Sequence, residues 1–83
     1  MKNFKIKGIT EHAISQALSK GAPILRPKKL KNLKKRGEVK IGPAAGGRVA
    51  FIYLNNFVYV ADAKKTVIIT VLTWREYKNI MYS

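Results

Sequence analysis

The chain contains one histidine, His12, and it is the only side chain whose ordinary titration range lets it take and return a proton near neutrality. Two residues suited to a phosphate lie far from it in sequence. Arg48 offers a guanidinium fork and Thr70 a hydroxyl, and a strand presenting both types can hold a phosphate between them. Threonine is also frequent in strands for propensity alone, and an exposed histidine often has no task, so each residue has a bland reading beside the chemical one. The densest signal is Arg26, Lys28, Lys29, Lys31, Lys34, Lys35 and Arg36, seven of the eleven residues from 26 to 36. Such a cluster releases counterions on meeting phosphates, which supplies affinity without reading sequence. It also suits a solvated charged face or a lipid-headgroup binder, but Leu30 and Leu33 alone are little to insert into a bilayer. The Gly46-Gly47 pair allows close approach of backbone to a phosphate, yet it matches neither a P-loop nor a dinucleotide fingerprint.

These residues sit in 83 positions, one domain's worth of chain. Seventeen Lys and Arg against four Asp and Glu give 17 − 4 = +13, an excess tolerated mainly where a polyanion supplies the counter-charge. An apolar fraction of 47% nonetheless predicts a packed core rather than disorder. With no cysteine and one histidine, disulfides, thiolate sites and His-based metal clusters are excluded, and no cofactor motif is present. The apolar run near Val67 to Leu72 is far too short to cross a bilayer, and residues 1 to 7 lack the apolar core of a signal peptide.

The elements that must position the candidates follow from periodicity. Thr10 is the expected N-cap of a helix over Glu11 to Lys20, with Ala13, Ile14, Ala17 and Leu18 as its apolar stripe, His12 on the accessible side and Gly21 as the stop. Pro27 suits the first turn of a second, basic helix reaching about Arg36 and ended by Gly37. Glu38 to Ile41 reads as a short strand, and residues 42 to 47 as a loop. Arg48 to Leu54, Phe57 to Ala61 and Thr66 to Thr73 then form a meander, with turns at Asn55-Asn56 and Asp62 to Lys65. In the last strand, alternation predicts Val67, Ile69 and Val71 on the helix-covered face, with Thr66, Ile68 and Thr70 on an opposite face that keeps polar atoms. Phe51, Tyr53, Phe57, Tyr59 and Trp74 are expected mainly in the core or in cross-strand pairs, with base stacking left to any exposed ring. Residues 74 to 83 read as a short amphipathic helix or the frayed end of the last strand. The class is α+β: one or two N-terminal helices packed on a three- to four-stranded antiparallel sheet.

Taken in order, Thr10-Glu11-His12-Ala13 opening a helix, a glycine stop, a basic segment, Phe57-Val58-Tyr59-Val60-Ala61-Asp62 and Lys65-Thr66-Val67-Ile68-Ile69-Thr70-Val71 resemble the BECR superfamily. These are the barnase, EndoU, colicin and RelE-type bacterial ribonucleases and toxin domains, and the likeness spans about Ile9 to Trp74. The resemblance implies metal-independent endoribonuclease activity, with tRNA among the candidate substrates, and an immunity or antitoxin protein as partner, which the net charge of +13 leads us to expect to be acidic. It matches His12 to the helix histidine and Thr70 to the threonine of the closing strand. Arg48, Lys5, Lys7 and Arg26 are candidates for the basic residues that recur at variable positions in such sites. The second histidine of EndoU-like members has no counterpart here. The implied site of action is cytoplasmic, either as a free-standing or phage-encoded protein or as a toxin domain carried by a longer secreted chain. The alternative class is a non-catalytic, basic nucleic-acid-binding module in which His12 is incidental.

Overall fold

The structure is a computed structural model and describes residues 6–53, 56–64 and 66–82. The elements are β1 (Gly8–Ile9), α1 (Glu11–Lys20), α2 (Pro27–Lys35), β2 (Val39–Pro43), a 3-10 turn (Ala45–Gly47), β3 (Val49–Tyr53), β4 (Phe57–Ala61), β5 (Val67–Thr73) and α3 (Trp74–Tyr82). Local chemistry sets the helix ends. Thr10 holds an extended backbone and its hydroxyl accepts from the Ala13 N–H, while Gly21 adopts the left-handed conformation that closes α1. Pro27 opens α2, where its missing N–H is not needed. Asp62 shapes the β4 to β5 turn, its carboxylate accepting from the N–H groups of Thr66 and Val67 at 2.8 and 3.2 Å.

The fold is α+β, with a five-stranded sheet in the order β1-β5-β4-β3-β2. Two features correct the expected three- to four-stranded antiparallel sheet. Strands β2 to β5 pair antiparallel, but β1 adds a fifth strand, parallel to β5 through Gly8 opposite Val67 and Ile9 opposite Ile68. Helices also cover both faces. On one face α1 and α2 bury Ala13, Ala17, Leu30 and Leu33 with Val49, Phe51, Tyr59, Ala61, Ile68 and Val71. On the other, Tyr77 of α3 packs with Ala50, Val58 and Val60, so this face is covered rather than left polar. The small residues Gly42 and Ala50 make room for Tyr77, whose hydroxyl donates to the Pro43 carbonyl at 2.7 Å.

Simple alternation fails in β5. Ala61 pairs with Ile68 and Val60 with Thr70, so Ile69 is an extra residue, a β-bulge. Ile68 and Val71 consequently join the α1 face, and Ile69 and Leu72 the α3 face, against the expected grouping of Val67, Ile69 and Val71. The stripe of α1 differs as well: Ala13 and Ala17 are buried, whereas Leu18 is 67% exposed. Two alanines let the helix lie close to the strand, and Lys20, not Leu18, reaches the sheet, its ammonium donating to the Val71 carbonyl. Gly42 and Pro43, expected in a loop, extend β2, and the loop shortens to the 3-10 turn. Residues 74 to 82 are helical because Thr73 and Glu76 cap each other: the Glu76 N–H donates to the Thr73 hydroxyl at 3.1 Å, and the Thr73 N–H to the Glu76 carboxylate at 2.9 Å. The expected turn position Asn55 and the candidate Lys5 lie outside the described residues.

Candidate nucleic-acid interface and active site

His12 is the second residue of α1, exposed in its first turn, and makes no hydrogen bond or ion pair among the described residues. One and two turns further along the same flank stand Gln16 and Lys20. The Lys20 ammonium donates to the Val71 carbonyl at 2.9 Å and to the Glu76 carboxylate at 2.8 Å, so this flank borders the outer edge of β5 where α3 begins. The N-terminal end of α1 is tied to the same edge, with the Thr10 N–H donating to the Ile68 carbonyl at 3.0 Å and its hydroxyl to the Ile69 carbonyl at 3.4 Å. Past the short β1, α1 therefore takes the edge carbonyls that another strand would otherwise pair.

Thr70 belongs to that stretch of β5. Paired with Val60, it is half-buried and directed to the α3 face, opposite to its neighbour Val71 and as alternation predicts. His12 and Thr70 thus stand on neighbouring elements at one edge of the sheet but on opposite faces of it, α1 covering one face and Thr70 directed to the other, with no hydrogen bond between them. Arg48 is not brought there. It is exposed immediately before β3, two strands from β5, which is about 10 Å across the sheet at ordinary strand spacing. Before it, Gly46 and Gly47 both hold left-handed backbone, which only glycine adopts cheaply. Of the other basic candidates, Lys7 is exposed beside β1, its N–H donating to the Thr66 carbonyl, and Arg26 is the exposed N-cap of α2.

The basic helix forms as expected. Leu30 and Leu33 are each 2% exposed, which turns Arg26, Lys28, Lys29, Lys31 and Lys35 to solvent and leaves Lys34 half-buried. Arg36 lies 3.2 Å from Glu38, so part of its charge is answered within the chain. The other carboxylates are engaged too, Glu76 by Lys20 and Asp62 by its turn, while Glu11 sits at the positive end of α1. Lys20 and the Thr73 N–H hold the Glu76 carboxyl below its usual range, Lys20 being the larger cause. With its few acids committed locally, the chain leaves a surface dominated by cations.

Sequence reasoning missed a groove of about 640 Å³ beside α2, lined by the apolar Ile6, Pro27 and Leu30 and by Lys28, Lys31, Lys34 and Lys35. The turn of α2 that carries Pro27 and Lys31 signals its basic side, but nothing local signals that Ile6 returns to it. Lys20 was also missed, although a lysine in the last turn of a helix is a known C-terminal partner. The Thr73-Trp74-Arg75-Glu76 pattern is itself a legible capping box. Phe51 and Tyr59 are fully buried, the Tyr59 hydroxyl donating to the Pro23 carbonyl at 2.6 Å, so neither ring is open to a base. Trp74 is half-buried, its ring centroid 5.6 Å from that of Tyr77. No group of three His, Cys, Asp or Glu side chains placed to hold a metal occurs among the described residues, and no helix among them is long and apolar enough to cross a membrane. Comparison with protein-family models, with curated proteins and with solved structures finds no match to this chain.

Proposed function

We propose that the chain is a BECR-type endoribonuclease that cleaves RNA without a metal, with His12 as general base. The observation carrying this reading is an exposed histidine in the first turn of α1, a helix whose start is tied to the edge of β5, in a molecule of net charge +13. His12 takes the proton from a ribose 2′-OH as that oxygen attacks the adjacent phosphorus. The bond to the 5′ oxygen breaks, solvent protonates the leaving oxygen, and a 2′,3′-cyclic phosphate remains. The Thr70 hydroxyl donates to the phosphoryl oxygens as charge builds on them, and α2 supplies binding through phosphate contacts. Arg48, two strands away, enters this scheme as a contact to a neighbouring phosphate of the same strand. The two N-terminal helices on one face of the antiparallel β2 to β5 meander support the family reading.

The test is incubation of the purified protein with total RNA, tRNA included, in EDTA. Discrete fragments ending in cyclic phosphate, absent with His12→Ala and absent on an all-deoxy strand, are the expected result. Cleavage of single-stranded DNA under chelation would refute the mechanism. A second reading, a non-catalytic nucleic-acid-binding module, is favoured by His12 having no partner that orients it among the described residues. It expects unchanged RNA with salt-sensitive retardation.

The same reading proposes a cytoplasmic site of action, whether the domain stands alone or is delivered within a longer toxin, and an acidic inhibitor. Carboxylates of an immunity or antitoxin protein would replace phosphates on α2, with an association rate that falls as salt rises. Simultaneous binding of inhibitor and a non-cleavable RNA, at a rate indifferent to salt, would exclude that mode.

A further inference from the structure

The α2 groove combines two surfaces that ask for different chemistry. Its surrounding lysines recognise an anion, and no carboxylate lies among the described residues lining it. The other lining residues, Ile6, Pro27 and Leu30, are apolar and gain nothing from a phosphate. An A-form duplex meets such a site with sugar and phosphate alone, because its base faces are stacked inside. A single strand presents both parts at once: an unstacked base with an apolar face, and phosphates on either side. The volume, about 640 Å³, lies in the range of small-ligand sites and suits one nucleotide. An acidic lipid shares the charge preference but needs side chains that enter the bilayer. The two leucines of α2 are each 2% exposed and face the sheet.

Resting on the RNA reading above, we infer that the groove seats one unpaired nucleotide of single-stranded RNA, the base against Ile6 and Pro27 and the flanking phosphates on Lys28, Lys31 and Lys35. The protein is thereby selective for single-stranded over paired RNA at the binding step, independently of His12.

The test uses 2′-O-methyl RNA, which lacks the nucleophile and cannot be cleaved. Binding is compared at fixed salt for a single strand with one central 2-aminopurine, the same strand with abasic sites at the central positions, the paired duplex, and vesicles of acidic phospholipid. The expected result is binding of the intact strand about tenfold tighter than the abasic strand or the duplex, with a change in 2-aminopurine fluorescence on binding. Ile6→Ser is expected to remove the preference for the intact strand while leaving duplex binding in place. The abasic comparison needs no protein variant and so survives any folding defect of Ile6→Ser. Equal affinity for all three nucleic acids overturns the groove assignment and leaves the RNA reading standing. Failure to bind any of them overturns the RNA reading itself, and displacement of the intact strand by vesicles assigns the groove to lipid instead.

Discussion

The Lys20 ammonium and the Glu76 carboxylate meet at 2.8 Å around the edge of β5, joining the last turn of α1 on one face of the sheet to the first turn of α3 on the other. The same ammonium donates to the Val71 carbonyl, so one side chain ties two helices and the strand between them. The flank that carries His12 is anchored at its far end by this contact.

Glu76→Gln isolates the charge in that contact, since glutamine still accepts from the Thr73 N–H. The carboxyl is held below its usual range in the folded protein, so its contribution is present above the usual carboxylate range and fades as pH falls through the lowered folded value. The Glu76 side chain is 47% exposed, and salt screens what remains. Melting curves should show the variant below the parent at pH 7, with the gap narrowing progressively as pH falls below the usual carboxylate range and narrowing in high salt. A gap indifferent to both acid and salt would place the effect outside the ion pair.

His12→Ala should lower RNA cleavage at saturating substrate by about a hundredfold or more, the usual scale for a general base, with affinity little changed. Thr70→Val keeps the shape and strand propensity while removing the hydroxyl. Its loss should be about a hundredfold in turnover, seen in single-turnover assays. If Thr70→Val cleaves normally, the closing strand contributes only scaffold.

Lys28→Glu with Lys31→Glu should weaken RNA binding and flatten its salt dependence. Loss of two phosphate contacts on a single strand removes about 1.4 from the slope of log affinity against log salt. Turnover at saturating RNA should survive, because neither His12 nor Thr70 lines the α2 groove. Abolished turnover in a folded variant would place α2 within the reaction centre.

Tyr77→Phe deletes the hydroxyl that bridges α3 to the end of β2 and leaves the Pro43 carbonyl without that donor. Urea denaturation should report a loss of about 1 kcal/mol. Burial pushes the Tyr77 hydroxyl above its ordinary value, with Tyr82 adding to it. Its contribution is therefore complete below the ordinary tyrosine value of 10.0 and is lost as pH rises through the raised folded value. The difference between parent and variant should shrink in strong alkali.

Local chemistry made several elements legible without any tertiary knowledge. Thr10, Gly21 and Pro27 mark helix boundaries because capping and backbone preference act within a few residues. The spacing of Leu30 and Leu33 turns the exposed cations of α2 outward for the same local reason. Net charge, an attribute of composition, requires no fold at all. What tertiary structure decided was register and return. Ile68 faces α1 and Ile69 faces α3 because Ile69 bulges out of the pairing with β4, a choice made by two strands together and invisible to a period-two reading of one. That reading does place Thr70 on the face away from α1. Leu18 is exposed because two alanines, small enough for close approach to β5, occupy the contact that its size had suggested for it. Ile6 reaches the α2 groove because β1 pairs parallel with the last strand of the sheet, across almost sixty residues of chain. Contacts that distant depend on how the whole chain closes, and no local pattern carries them.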